Sequence, residues 1–475
     1  MEAGFSLVEG LPGARLHSVH MIGAATQADN RAHEAALSLE MNLLKWGWPV
    51  GESIGALPEV QKALGLGRQT CRQAIAILEA RGVLESRRGP GGGLFVRAPT
   101  IEDVVGAMLM YLALTGAEQD CVTEFRTLIW RLVVAAAIQR RVFVRPANAQ
   151  PGKWGFAFDL AEQLGNGSMS MAAQLAEMMA QICQQPAAPA RDAQIDAALL
   201  SHDVQAAWNR VDVLTQPIDL NPPKFELEMA EQGFSLCGRK SAMALAVRLA
   251  REFRDGRGAV EAEWETAERL GYTDAVVRQA RRILQDFDIV RCRRGRKGAE
   301  WAPPTNAEGV IRLLAPCLAA NGQSARDNNE VAGFLASSAP VLAARRVARH
   351  GSDSIRVFLP PAPADTVDVM QGENTLLELS GNPLLVIMVR SLGLANVFVD
   401  GPPPAWPIEA KIVGCNRQLM KAIKAGDPDL AAEVAWAKWR IIQESAEPIE
   451  TSPEARINAS TSLAIRGLPT RKTAA

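Results

Sequence analysis

Arg68 and Arg72 stand one helical turn apart in LGLGRQTCRQAIAILEARGVL, with Gln69 and Thr70 between them. That spacing puts both guanidinium groups on one helix face, and each offers a fork of donors that matches guanine O6 and N7 or a phosphate. Gln69 and Thr70 suit phosphate oxygens or adenine edges. Close behind follows RRGPGGGLFV, in which Arg87 and Arg88 lead into Gly89 and the run Gly91, Gly92, Gly93. Glycines let a hairpin tip approach a nucleic-acid backbone, and the arginines supply the charge. From Leu66 to Arg97, six arginines face only Glu79 and Glu85. Arginine-rich helix starts are often plain solvated faces, so repetition of the pattern carries the weight.

The pattern does repeat, at an offset of 206. Residues 65–96 set over 271–302 without a gap give ten identities, among them Arg72/Arg278, Gln73/Gln279, Arg87/Arg293, Arg88/Arg294 and Gly92/Gly298. Val276 to Lys297 holds eight basic residues against Asp286 and Asp288. The second-copy candidates for DNA contact are Thr273, Arg278, Arg282, Arg293, Arg294, Arg296 and Lys297. Asp274, however, replaces Arg68; it suits a helix N-terminus and repels phosphate. The second copy is therefore expected to attract the backbone more than to read bases. The same offset carries Glu124 onto Glu330, and further on Asn166 faces Asn382 at 216 and Asp203 faces Asp427 at 224.

These residues need elements to hold them. RAHEAALSLEMNLLKWG, ALPEVQKALG and RQTCRQAIAILEARG read as three helices, with Pro58 in a first turn and Gly82 as a stop. Two β-prone runs around the glycines then make a hairpin, and three helices with a hairpin make a winged helix-turn-helix. The rest of each copy is Ala/Leu-rich helical pattern, as in a helical bundle. The expected fold is mainly α: a winged helix over 25–98, a shortened helical domain over 101–215, a second winged helix over 234–303, a second helical domain over 306–446 and a disordered tail over 447–475. The copies meet at QPIDLNPPK, where prolines stop a helix.

Composition narrows the function. The 475 residues are 48% hydrophobic and 22% charged, with a net charge of −1 and a mean hydropathy of −0.01. That excludes a disordered or collagen-like chain and a membrane bundle. No signal core precedes residue 25, so the expected address is cytoplasmic. Seven cysteines without a CxxC pair argue against a disulfide framework and a zinc ribbon.

The segment Ser53 to Pro99, through LGLGRQTCRQAIAILEARGVL and RRGPGGGLFV, resembles the winged helix of the GntR family of bacterial transcription regulators. SGNPLL and MKAIKAGDPDLAAEV resemble the all-helical effector domain of its fatty-acid-regulator branch. The resemblance implies binding of double-stranded DNA, a possible small-molecule effector and pairing of two halves, here fused in one chain. Many members of that branch hold a metal with an Asp and three His. Those His positions fall near Glu373, Asn416 and Lys438 in the second copy and, for the second of them, near Asp192 in the first, and none is His. Glu373 and Asp368 were the remaining candidates for a hard cation, and without suitably spaced neighbours they read as a solvated face. No metal or cofactor is expected.

Enzymatic readings fail on the residues. GPGGG lacks the GK[ST] of a phosphate loop, GLGRQT lacks the third glycine and the preceding strand of a dinucleotide fingerprint, and five His leave few bases for nucleophilic catalysis. The expected function is a sequence-specific transcription regulator, a single-chain pseudo-dimer on an imperfect palindrome and open to further oligomerisation. The alternative is a protein–protein co-regulator or anti-activator that retains the winged helices without binding DNA.

Overall fold

Apolar residues at helical spacing fold into helices almost throughout, and strand is confined to two antiparallel pairs among the described residues. The computed structural model describes residues 31–63, 65–90, 92–142, 154–189, 191–215, 222–230, 240–255, 261–287, 289–292, 299–301, 304, 306–352, 369–396 and 409–445. The chain divides into two compact units, and each contains matching parts of both copies.

One unit spans Val19–Thr115 and Glu226–Gly322. Its first-copy part runs α1 (Arg31–Lys45), α2 (Leu57–Ala63), α3 (Arg68–Arg81), β1 (Leu84–Arg87), β2 (Gly93–Val96) and α4 (Ile101–Thr115). Its second-copy part runs α10 (Lys240–Arg254), α11 (Glu263–Leu270), α12 (Asp274–Asp286), β3 (Val290–Cys292), β4 (Ala299–Trp301) and α13 (Glu308–Ala320). α1 packs on α3 and α10 on α12, while α3 touches α12 and α4 lies along α13. The sequence groups 101–115 and 306–320 with the helical domains; the helices there, α4 and α13, pack on each other and fall in the same compact unit as the three-helix elements. Both are strongly apolar: α4 buries Val104, Val105, Met108, Leu109 and Leu112, and α13 buries Val310, Ile311, Leu313 and Leu314.

The other unit spans Gly116–Phe225 and Gln323–Pro448 and is all helical among the described residues apart from an isolated bridge at Glu118 and Lys224. The first copy gives α5 (Asp120–Gln139), α6 (Phe156–Leu164), α7 (Gly167–Ile182), α8 (Ala193–Ser201) and α9 (Val204–Leu214). The second gives α14 (Ala325–His350), α15 (Val369–Leu379), α16 (Pro383–Ala395), α17 (Glu409–Ala425) and α18 (Pro428–Ser445). α14, α15, α17 and α18 close over a core of Ala344, Leu376, Leu419, Ile423 and Ala435.

The copies meet in this unit through crossed polar contacts. Asn382 caps α16, its Oδ1 accepting from Leu384 and Leu385 N–H, while its Nδ2 donates to Glu124 Oε2 on α5 at 2.9 Å and to Cys121 O at 3.0 Å. Asn166 caps α7, its Oδ1 accepting from Met169 N–H, while its Nδ2 donates to Glu330 Oε2 on α14 at 2.8 Å. Glu330 also pairs with Arg140. Each glutamate thus takes its hydrogen bond from the asparagine of the opposite copy. Burial pushes both carboxyl pKa values up; nearby Arg346 counters the rise in Glu124, and Arg140 counters it in Glu330.

Candidate nucleic-acid interface

The α3 face is built from its buried side. Cys71, Ala74, Ile75, Ile77 and Leu78 are buried, so the opposite positions must face water. Those positions are Arg68, Gln69, Arg72 and Gln73, all exposed, with Thr70 half-buried beside them. Gly82 ends the helix in the left-handed region at φ 76°, its N–H reaching Glu79 O and Leu78 O. A buried ion pair, Arg81 to Glu40 at 2.6 Å, ties that end to α1. Arg68 and Arg72 make no ion pair among the described residues, so both guanidinium groups are available to an anionic partner.

The hairpin follows α3 in a defined register, with Ser86 N–H on Glu79 Oε1 at 3.2 Å. Leu84 opposes Val96 and Arg87 opposes Gly93, and Ile54 N–H donates to Leu94 O at 2.8 Å, so the segment before α2 supports the second strand. Trp48 is buried and its Nε1 donates to Arg97 O at 2.8 Å, which pins the strand end. Gly92 closes the tip, its N–H on Gly89 O at 2.8 Å. A Cβ there would lie 2.4 Å from Arg87 O, so the turn requires glycine. Arg88 is exposed and without an ion pair among the described residues. Arg87 differs from the free wing cation that its sequence position suggests: it lies 4.2 Å over the Phe95 ring and 3.3 Å from Glu85. Glu85 is held below the usual carboxylate range, first by Arg97 and then by Arg87.

The second copy repeats the element order with a different surface. Thr273, expected at the DNA, caps α12, its hydroxyl accepting from Val276 N–H at 3.5 Å. Arg278 is paired with Glu263 at 3.0 Å. Arg281 donates to Glu261 O at 2.5 Å and to Thr266 Oγ1 at 2.9 Å. Arg282 is half-buried and engaged in contacts of its own. Arg293, Arg294, Arg296 and Lys297, with Gly91 of the first hairpin, lie outside the described residues.

Gln73 and Lys62 join this exposed surface without standing in the arginine and glycine pattern. Both are exposed on the first-copy elements, Gln73 beside Arg72 and Lys62 on α2. The Gln73/Gln279 identity was the available signal; Lys62 has none, because Glu268 replaces it.

The positions that a metal would need come together, but as a different cluster. Lys438 Nζ donates to both oxygens of Glu373, at 2.9 and 2.8 Å, and to Asn416 Oδ1 at 3.1 Å; Asn416 Nδ2 donates to Glu373 Oε1 at 3.0 Å. A buried ammonium supplies the positive charge itself, and a protonated amine has no lone pair for a cation. These residues do not fit a metal. Asp192 is likewise committed, capping α8 and paired with Arg210 at 2.7 Å. Asp368 lies outside the described residues. No group of three or more His, Cys, Asp or Glu side chains placed to hold a metal occurs among the described residues.

No family model, curated protein or solved structure matches this chain. The functional reading therefore rests on the residues and their geometry. Among the described residues no helix is long and apolar enough to cross a membrane.

Proposed function

We propose that this protein is a sequence-specific DNA-binding regulator of transcription, of the GntR kind, whose α1–α3 and β1–β2 act as a winged helix-turn-helix. The observation that carries the reading is the pair Arg68 and Arg72 at the start of α3. Both are exposed and without an ion pair among the described residues, and the glycine hairpin with exposed Arg88 follows the same helix, Ser86 N–H of its first strand donating to Glu79 Oε1 of α3. A helix presenting two free guanidinium groups, two glutamines and a threonine on one face has the donors that a major groove requires.

Further elements belong to the proposal. The chain acts as an internal pseudo-dimer, one polypeptide supplying the two halves that separate subunits provide elsewhere. The reciprocal contacts Asn382 to Glu124 and Asn166 to Glu330 favour this, because equivalent residues exchanging partners is the pattern of an isologous interface. The protein performs no catalysis, acts in the cytoplasm and responds to a small molecule, if to any, through its helical unit. Selection of DNA fragments by the purified full chain from a random pool, repeated across a salt series, tests the reading. A recovered sequence motif whose retention falls with salt supports it. Loss of the motif in the Arg68→Ala/Arg72→Ala variant assigns it to α3.

A second reading, a protein–protein co-regulator, is favoured by one observation: Trp264 on α11 is 60% exposed. Under that reading the random pool yields no motif.

A further inference from the structure

At the offset of 206 the two helix pairs, α2–α3 and α11–α12, can be compared position by position, and the exchanges fall on the face that would meet DNA. Leu57 becomes Glu263, Lys62 becomes Glu268 and Arg68 becomes Asp274. From 57 to 72 the charged residues are Glu59 against Lys62, Arg68 and Arg72, net +2. From 263 to 278 they are Glu263, Glu265, Glu268 and Asp274 against Arg269 and Arg278, net −2. Glu268 and Asp274 are exposed. The hydrogen-bonding side chains go too: Gln69 becomes Ala275 and Thr70 becomes Val276.

The cations that remain are occupied. Arg278, counterpart of Arg72, is held by Glu263 at 3.0 Å, a contact the first copy cannot make because it has Leu57 there. Arg269 lies 3.0 Å from both Glu252 and Glu261. Such exposed pairs contribute little to stability. Their effect on a polyanion is different, since the carboxylate beside each cation cancels its charge and brings a group that repels phosphate to the same surface. Trp264, replacing Pro58, adds a bulky indole at the start of α11.

We infer that the α11–α12 face is kept out of the major groove by Glu263, Glu268 and Asp274, so that base reading is one-sided and belongs to α3. This rests on the DNA-binding reading above and deepens it. The three acidic residues are specificity determinants: they decide that one half of the target is read and the other only held.

The test grafts first-copy residues onto the second copy in the full chain, as Glu263→Leu/Glu268→Lys/Asp274→Arg, with Asp274→Arg alone as a milder variant and circular dichroism to verify folding. Random-pool selection should give base preference over one half-site for the unaltered protein and over both for the triple variant. The triple variant should bind about tenfold tighter, as one added base contact does, with a salt slope steeper by about 3 for two added cations and the released Arg278. Equal base preference in both half-sites with the unaltered protein overturns the inference. So does a folded triple variant, or a folded Asp274→Arg variant if the triple does not fold, that leaves the second half-site unselected and the slope unchanged. Failure of the underlying reading looks different: the unaltered protein then recovers no motif at all and binds DNA no better than Arg68→Ala/Arg72→Ala.

Discussion

Asn382 is the residue whose removal reports most directly on how the two copies are joined. Its side chain is fully buried and makes four hydrogen bonds, two as the cap of α16 and two across to α5. Asn382→Ala loses the cap, about 1 kcal/mol. It also removes a donor from the half-buried Glu124 carboxylate, about 1.5–3 kcal/mol for a hydrogen bond to a charged group. The expected loss is about 3 kcal/mol, read as a lower midpoint in urea unfolding of the full chain, followed by tryptophan fluorescence. A double-mutant cycle isolates the contact between copies. With Glu124→Leu as the second change, the cap loss cancels and a coupling of about 1.5 kcal/mol or more remains. Coupling below about 0.5 kcal/mol, which is the scatter of independent sites, would refute the reasoning that the crossed pair joins the copies. Asn166→Ala with Glu330→Leu is the mirror cycle and is expected to show coupling of similar size.

Other outcomes follow from the same geometry. Arg68→Ala or Arg72→Ala is expected to weaken specific DNA binding by about 1–3 kcal/mol in a fluorescence-anisotropy titration and to relax base preference in one half-site only. Lys438→Met leaves Glu373 with Asn416 alone, and because that carboxylate is 28% exposed the loss should be about 2 kcal/mol, below the 3–5 kcal/mol of a fully buried pair. Adding Glu373→Gln should restore part of it, and chelator should leave the melting temperature of the unaltered protein unchanged. Burial raises the folded pKa of Glu124 above its unfolded value, so its charged form is a burden that grows as pH rises through that window. Replacing it as Glu124→Gln should therefore raise melting temperature more at pH 7 than at pH 5; a constant difference would contradict the raised pKa. Light scattering of the complex on a short operator is expected to count one 51.1 kDa chain per DNA.

The duplication, the α3 stripe and the glycine turn are all legible in the sequence, because each is local. Helical spacing puts Arg68 and Arg72 on one face whatever surrounds them, provided that Leu78 and Ile75 are buried behind, and Gly82 and Gly92 meet backbone demands set by immediate neighbours. Glu124/Glu330 and Asn166/Asn382 are legible as equivalent pairs. That they bond crosswise is not, since partners 258 and 164 residues apart are chosen by which helices pack together. The same holds for Lys438, which reaches Glu373 over 65 residues, and for the grouping of α4 with α13. The charge of the second copy shows the division most clearly. Counting residues finds eight basic groups between Val276 and Lys297, and only the fold places the Glu263 carboxylate against Arg278 and turns Arg281 onto the Glu261 carbonyl and Thr266, where the basic count no longer describes the surface. Sequence by itself determined the inventory of charges and the period on which they lie; tertiary packing decided which were spent on one another, because electrostatic attraction depends on distance in space and not along the chain.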